Sequence, residues 1–491
     1  MSIGMHRFPF FEEECSMRFR FNALAIALVL VSSMLLAACG GAAAPAAEPT
    51  AAAEPAAEAT AAPAEEPAAE APAATDAVTI RYGLWDGNQQ PAYEACAAEF
   101  TKTNPNIIVK VEQAGWGDYW TSVQTGMVGG TAPDVFTNHL AKYPEFASKE
   151  QLVDIQPFVE RDGVDLAQYL PGLGDLWGRD GKRYGLPKDW DTVAVVFNKD
   201  MLDKAGVTVE ELNNADWNAK DGGSFGQIIK KLTIDEAGKN ALDADFDKSK
   251  VVQYGFVGGG SGGAYGQTQW SHWAVSNGFK FNDGLYATKY FYDDPKLAET
   301  IQWYANLNLV EGVAPTLADV RSLGATALFT SGKAAMTTDG SWMIGSYVND
   351  AKFVTGFARL PKGPEGRKSM FNGLADSIWV GSKHQEESWQ WMKFAASPAC
   401  ANIVGSYGVV FPAIQSGVDA ALKAYGDRKV DVSAFTAQAT EANGTFLFPV
   451  TDFASEIGPI MDATMDSIML GEKPAADALK AANDEVNALF Q

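Results

Sequence analysis

The run Gly181-Lys182-Arg183-Tyr184-Gly185-Leu186-Pro187-Lys188-Asp189-Trp190-Asp191-Thr192-Val193-Ala194-Val195-Val196-Phe197-Asn198-Lys199-Asp200-Met201-Leu202 decides how the chain is read. Val193 to Phe197 is apolar with no polar alternation, which predicts a strand buried on both faces. Upstream, Val78 to Trp85 is β-rich and stops at Asp86-Gly87. Apolar residues at Tyr93, Cys96, Ala97 and Phe100 then recur at helical spacing until Asn104-Pro105-Asn106 breaks the pattern. Ile107 to Val111 reads as a strand, Tyr119 to Val128 as a helix ended by Gly129-Gly130, and Pro133-Asp134-Val135-Phe136 as the start of another strand. This β-α-β-α-β order predicts an α/β layer with a mainly parallel sheet. Ligand loops in such sheets lie at the carboxyl ends of strands, where Trp85-Asp86 and Thr137-Asn138-His139 stand. Downstream, residues 205–300 read as helical with Gly-rich breaks, and Lys230 to Tyr254 as an irregular insertion.

Composition narrows the field. At 491 residues, 47% of them apolar, two or three packing units are expected. Asp plus Glu total 61 against 38 Lys plus Arg, a formal charge of −23. That surface makes no partner for nucleic acid, whose binding needs clustered cations. The four cysteines (Cys15, Cys39, Cys96, Cys400) are too widely spaced for a disulfide mini-fold or a CxxC metal module. The four histidines show no HxxxH or HExxH spacing, so no zinc site is expected. Asp243, Asp245 and Asp247 suggest a calcium loop, but its glycine and terminal glutamate are missing, and a solvated acidic loop is the better reading. Gly258 to Gly263 lacks the Lys-Ser/Thr of a P-loop and reads as a flexible loop near a cleft. No cofactor is expected.

The start of the chain reads as an address. Arg18 and Arg20 precede an apolar run to Ala38, a basic start and greasy stretch typical of an export signal spanning residues 1–38, with Met17 the better start because Glu12, Glu13 and Glu14 do not suit a signal's head. Leu36-Ala37-Ala38-Cys39 resembles a bacterial lipobox, in which the cysteine is lipidated; the alternative is an ordinary signal with an incidental cysteine. Residues 42–75 hold only small residues, prolines and six glutamates with no basic residue, so the segment 39–76 is expected to be a disordered tether.

Four separated pieces then resemble one family. Pro133-Asp134-Val135 with Leu152-Val153-Asp154-Ile155, the Gly181 to Leu202 run, Phe329 to Met336 with Asp339-Gly340-Ser341-Trp342, and Gly408-Val409-Val410-Phe411-Pro412 are similar, in this order, to the sugar-type bacterial extracellular solute-binding proteins. The resemblance covers most of residues 78–491. It implies a two-lobed α/β fold of the periplasmic-binding type (type II-like) with a hinge, lobe one comprising 77–190 and 358–415 and lobe two 191–357 and 416–491. It also implies an extracytoplasmic, monomeric protein that captures a carbohydrate and passes it to the permease of an ABC transporter, held to the membrane by lipid on Cys39, without catalysis.

Sugar recognition needs aromatic faces for the C–H surfaces of pyranose rings and polar groups for their hydroxyls. The resemblance implies ligand contact at Asp86, Asp191 and Trp342. Asn138 falls where the maltose-binding relative has a stacking tryptophan, and Ala141 where it has an aspartate, so the ligand is expected to differ from maltose. Trp85, Trp116, Trp190, Tyr265, Trp270, Asn372, Asp376 and Phe453 complete the candidate set. For the single aromatics the alternative is core packing, and for the aspartates a helix cap or solvated turn. His139 and His272 have no accompanying nucleophile motif and read as satisfied polar residues rather than catalysts. Cys96 and Cys400, on helices that would share lobe one, form either a disulfide or two buried thiols. Two other functions compete with sugar capture. A secreted glycoside hydrolase would turn over chromogenic glycosides through a carboxylate pair. A polyamine or cation binder in the same fold would use the acidic residues and aromatics for ammonium groups.

Overall fold

In the computed structural model, which describes residues 77–491, strand β1 (Val78–Leu84) leads to a helix at Gln90–Thr103, strand β2 (Ile107–Gln113), a helix at Trp116–Gly129 and strand β3 (Val135–His139). The expected export segment, lipidated Cys39 and tether lie outside the described residues. Tyr93, Cys96, Ala97 and Phe100 form the buried face of the first helix, as their spacing predicts. Gly130 closes the second helix in the left-handed conformation (φ 76°), which glycine adopts without Cβ strain. Strand β1 pairs in parallel with both β2 and β3.

The remaining strands of the two larger sheets are β4 (Leu186–Asp191), β5 (Val193–Asn198), β6 (Met336–Gly340), β7 (Thr355–Ala358), β8 (Ser369–Ile378), β9 (Phe411–Pro412) and β10 (Thr445–Leu447). The large sheet runs β9-β4-β8-β3-β1-β2, with β10 beside β8; the small one runs β6-β5-β7. The expected parallel arrangement holds for β1 to β3 and for the short β8–β10 pair. Strand β8 is antiparallel to β3 and β4, and β9 to β4, while both pairs of the small sheet are antiparallel. Strand β8 arrives from the small sheet rather than over a helix of its own sheet, so the crossover rule that enforces parallel pairing does not apply to it.

Only Thr192 separates β4 from β5, so one extended run passes from the large sheet into the small one. All six residues of β5 are buried, as the missing alternation predicts. The chain crosses again between β7 and β8, and a third time near β10. The fold is therefore a two-lobed α/β architecture with the crossings side by side.

The helices at Pro295–Leu309, Ala454–Met469 and Ala475–Ala488 share a core with the small sheet, in which Val193, Val195, Phe197, Ile301, Ile457 and Leu479 are buried together. The helices at Pro398–Tyr407 and Gln415–Asp427 pack on each other beside the large sheet. Their contact is made by glycines: a Cβ at Gly405 would collide with the Gly417 carbonyl. This close approach draws residues 415–427 to the large sheet, so the expected transfer to lobe two after 415 falls at the start of a helix that stays behind. Asp243 and Asp247 accept bonds from nearby backbone amides (Asn240 and Ser249), and Asp245 pairs with Lys239. Among the described residues no group of three or more His, Cys, Asp or Glu is arranged to hold a metal ion.

Of the two states open to Cys96 and Cys400, the structure has the disulfide, with Cα atoms 5.3 Å apart. It fastens the Gln90–Thr103 helix to Pro398–Tyr407 across 304 positions of sequence. Replacing both cysteines by alanine is expected to cost about 2–5 kcal/mol of unfolding free energy. Denaturant titrations with and without reductant check this: reductant is expected to weaken the native protein and leave the double variant unchanged, whereas a native protein indifferent to reductant would contradict the bond.

Candidate functional site

Alternate residues of a strand face opposite sides, so Asp189 and Asp191 share one face of β4 and Trp190 takes the other. Trp190 is spent on packing: its ring stacks on Phe411 at 4.9 Å and on Phe371 at 6.0 Å between centroids. This corrects the expectation that it faces ligand. The carboxylate face meets the crossing. Asp191, 1% exposed, accepts a 2.6 Å bond from Ser341 Oγ. Ser341 follows the end of β6 and its amide donates to the Thr192 carbonyl at 3.0 Å. The large-sheet strand is thus tied to the small sheet at the floor of the crossing. Asn372 lies directly opposite Asp191 in the β8–β4 pair.

Asp189 is 0% exposed, and neither carboxylate oxygen has a hydrogen-bond partner. Burial pushes its carboxyl up to about 7; Lys188 opposes this, Asp376 and Asp86 add to it, and the Leu374 amide opposite, which makes no hydrogen bond of full geometry, offsets it only in part. Burial, then the charge of Asp189, holds the Asp191 carboxyl well above the ordinary range, with Ser341 and the Trp342 amide working against the rise. Asp86, at the end of β1, accepts bonds from the Asn88 amide (2.9 Å) and Gln89 Nε2 (3.0 Å); burial still raises it. Three carboxylates therefore crowd one place. The family resemblance singles out Asp86 and Asp191; Asp189 is not among its candidates, although its two-residue spacing from Asp191 marks it as a neighbour.

Lys188 completes a buried network. Its Nζ donates to Tyr82 Oη (3.0 Å) and Thr137 Oγ1 (2.9 Å), lies 3.8 Å from Asp376 Oδ1, and sits 3.9 Å from the centre of the Tyr93 ring. Tyr82 Oη and Thr137 Oγ1 also donate to Asp376. This corrects the ligand-contact expectation for Asp376, whose oxygen is committed inside the protein. Asn138 is corrected likewise: its Nδ2 donates to Ser377 Oγ at 3.0 Å and its Oδ1 accepts from the His139 amide at 2.9 Å.

An aromatic ledge leads away from the carboxylates. Trp85 meets Trp116 edge-on at 5.0 Å, and Trp116, 49% exposed, meets His139 at 5.6 Å. His139 then contacts Phe448 at 5.7 Å, and Phe448 contacts Tyr265 at 5.8 Å. Phe448, which the sequence reading did not single out, joins rings of the two lobes. Tyr265 itself is buried. Trp270 packs beneath Gly266 and against Phe281 as a core residue, and half-buried Phe453 packs on Phe490 at 4.7 Å, so both rings are engaged within the protein. Trp342 is half-buried, and a Cβ at Gly340 would collide with its ring, so the glycine of the Asp339-Gly340-Ser341-Trp342 motif makes room for the indole. Asp339 of that motif accepts from Tyr347 Oη at 2.6 Å. Burial holds His139 and His272 neutral, with pKa values lowered to about 3. His139 Nδ1 accepts from the Ala141 amide, but His272 has no partner on either ring nitrogen, against the expectation of a satisfied histidine.

The lobes also touch at a rim. Tyr143 Oη and Tyr286 Oη are 2.7 Å apart, Arg179 pairs with Asp452 at 2.6 Å while its guanidinium lies 4.1 Å from the Tyr286 ring centre, and Ser455 donates to Glu145. A cavity of about 490 Å³ lies elsewhere, under the Gly-rich loop, lined by Gly258, Trp270, Tyr304, Arg321 and Met465; none of the three carboxylates lines it.

Comparison with known proteins adds to this geometry. The family model for bacterial extracellular solute-binding proteins matches residues 86–400. A putative binding protein of Brucella abortus is 24% identical over 414 residues, covering 82% of this chain and 90% of that protein. The maltodextrin-binding protein of Bacillus subtilis is 25% identical over 325 residues, 63% of this chain and 67% of that one. Among solved structures, an ABC substrate-binding protein from Listeria monocytogenes in complex with cycloalternan superposes with a TM-score of 0.72 at 24% identity, covering 84% of this chain and 99% of that one. Mycobacterium tuberculosis UspC gives 0.66 at 27% identity, with 84% and 100% covered.

The carboxylate cluster makes stability depend on pH. For Asp189 the unfolded chain ionises near 3.8 and the folded one near 7, so the unfolded state gains charge first and stability falls as pH rises between those values. His139 and His272 act in the other direction, costing stability as pH falls below 6.5. Comparing Asp189→Asn with the native protein isolates the carboxylate. The variant's relative stability is expected to climb by on the order of 1 kcal/mol per pH unit from about pH 4 to 7 and to level off above. Urea titrations across that range check it; a difference that does not change with pH would contradict the assignment.

Proposed function

Since this chain belongs to the bacterial extracellular solute-binding proteins, we propose that it captures a sugar or oligosaccharide outside the cytoplasm and delivers it unaltered to the permease of an ABC transporter. The observation that carries the reading is the floor of the crossing. Asp191 of one sheet and Ser341 of the other meet there at 2.6 Å, beside carboxylate and amide oxygens left without partners. A hydroxyl-rich solute supplies donors to such acceptors, and closing the lobes brings both sets of groups onto it at once. Trp85, Trp116 and Trp342 give apolar faces suited to the C–H side of a pyranose. The names of relatives that bind maltodextrin and arabinooligosaccharide agree with this chemistry. A closing clamshell of this kind works as a monomer.

The lipobox-like Leu36-Ala37-Ala38-Cys39 supports a lipid anchor at Cys39, with the Ala/Pro/Glu segment as its leash. The Cys39→Ser variant is then expected to leave the membrane fraction of cells, and a variant that stays there would contradict the anchor.

Tryptophan fluorescence titrated with a panel of mono- and oligosaccharides tests the capture itself. A saturable change with at least one sugar is expected. Ser341→Ala, by removing a bond to a carboxylate across the crossing, is expected to weaken binding by about tenfold or more. Absence of both a saturable signal and a thermal shift with every sugar would contradict the reading.

A further inference from the structure

The unpartnered atoms at the crossing share one chemical character. Asp189 Oδ1, Asp189 Oδ2 and Asn372 Oδ1 are all buried acceptors with no donor. Asn372 is 4% exposed and sits directly across from Asp191, and Leu374 directly across from Asp189, so Asn372, Asp189 and Asp191 lie along one face of the β4–β8 pair. The unpartnered donor nearest in sequence, Trp190 Nε1, belongs to the opposite face, where the ring stacks on Phe411. A neutral hydroxyl brings one donor and an acceptor that itself needs a donor, whereas an ammonium brings three donors and no acceptor.

Charge points the same way. The charges that reach Asp189 are those of Lys188, Asp376 and Asp86, with Asp191 two residues along, and the cluster's charges also reach the buried phenols of Tyr93 and Tyr425. Lys188 is the cation among them, and Asp376 already stands 3.8 Å from its Nζ with Tyr82 and Thr137 bridging the two. That leaves Asp86, Asp189 and Asp191 without a matching positive charge. A buried carboxylate in this position takes either a proton or a cation.

We propose that the captured sugar carries a protonated amine, an amino sugar, whose ammonium group binds between Asp189, Asp191 and Asn372. This rests on the sugar-capture reading and specifies the class of sugar. In the free protein a proton on the cluster stands in for the ammonium. Binding the amine therefore expels a proton, and binding a neutral sugar does not.

Calorimetric titration of the full chain tests this with matched pairs: glucosamine and its β-1,4-linked dimer and trimer against glucose, cellobiose and cellotriose. At pH 7 the amine member of at least one pair is expected to bind ten or more times tighter than its hydroxyl counterpart. Repeating the titration in two buffers of different ionisation enthalpy is expected to show proton release with the amine alone, a readout that needs no variant. Asp189→Asn is expected to bring the two members of the pair within about threefold of each other. Neutral sugars binding as well as or better than their amine counterparts, or amine binding without proton release, would overturn the amino-sugar assignment while leaving sugar capture standing. No binding by either series, together with no response from any other sugar, would overturn both.

Discussion

One extended run of chain belongs to both lobes. It enters as β4, passes Thr192, and leaves as β5, with only that residue between the two sheets. Asp189 and Asp191 are positioned by this passage, and Ser341 is tied to it. Thr192 Oγ1 donates to the Phe435 carbonyl, its own carbonyl accepts from Ser341, and the Val193 amide donates to Ser369 Oγ. These bonds satisfy the backbone where it belongs to neither sheet, which a buried crossing requires. They also fix Asp189 and Asp191 at the seam. Acidic side chains there have to be held without water, and the result is a set of carboxyls whose proton affinity is raised by burial and by one another.

Asp376 and Asp189 contrast a buried charge that is satisfied with one that is not. Both are buried to within 1% of completely. Asp376 has Lys188, Tyr82 and Thr137 around it, a network whose members satisfy one another. Asp189, one strand away, has no bonded partner. An unsatisfied buried carboxylate costs stability, and a fold retains such a group where something else completes it. The aromatic ledge from Trp116 through His139 and Phe448 to Tyr265 runs between the lobes and gives the seam an apolar wall.

Much of this was legible in the sequence, and the failures have physical causes. Unbroken apolarity announced β5, and helical spacing announced the Gln90–Thr103 helix, because both patterns follow directly from which faces are buried. The direction of β8 was not legible, since pairing direction is set by where the chain comes from, and that is a matter of the second lobe. Asp86 and Asp191 were singled out by the family resemblance, and both stand where strands end. Asn138 and Asp376 were misread because position at a strand end does not tell whether a polar group is already satisfied; Ser377 and Lys188, which satisfy them, come from distant parts of the chain. Trp190, Trp270 and Phe453 failed for a related reason: an aromatic residue's spacing is the same in a core and in a cleft. Asp189 was overlooked, yet strand alternation places it beside Asp191.

The central claim is that a polar solute is gripped at this seam by groups from both lobes, so that its arrival draws the lobes together. Small-angle X-ray scattering on the full chain, with and without a saturating amount of the sugar that gives the strongest binding signal, tests it most directly. The expected result is a smaller radius of gyration and maximum dimension in the presence of sugar. Superimposable curves at saturation would contradict the claim.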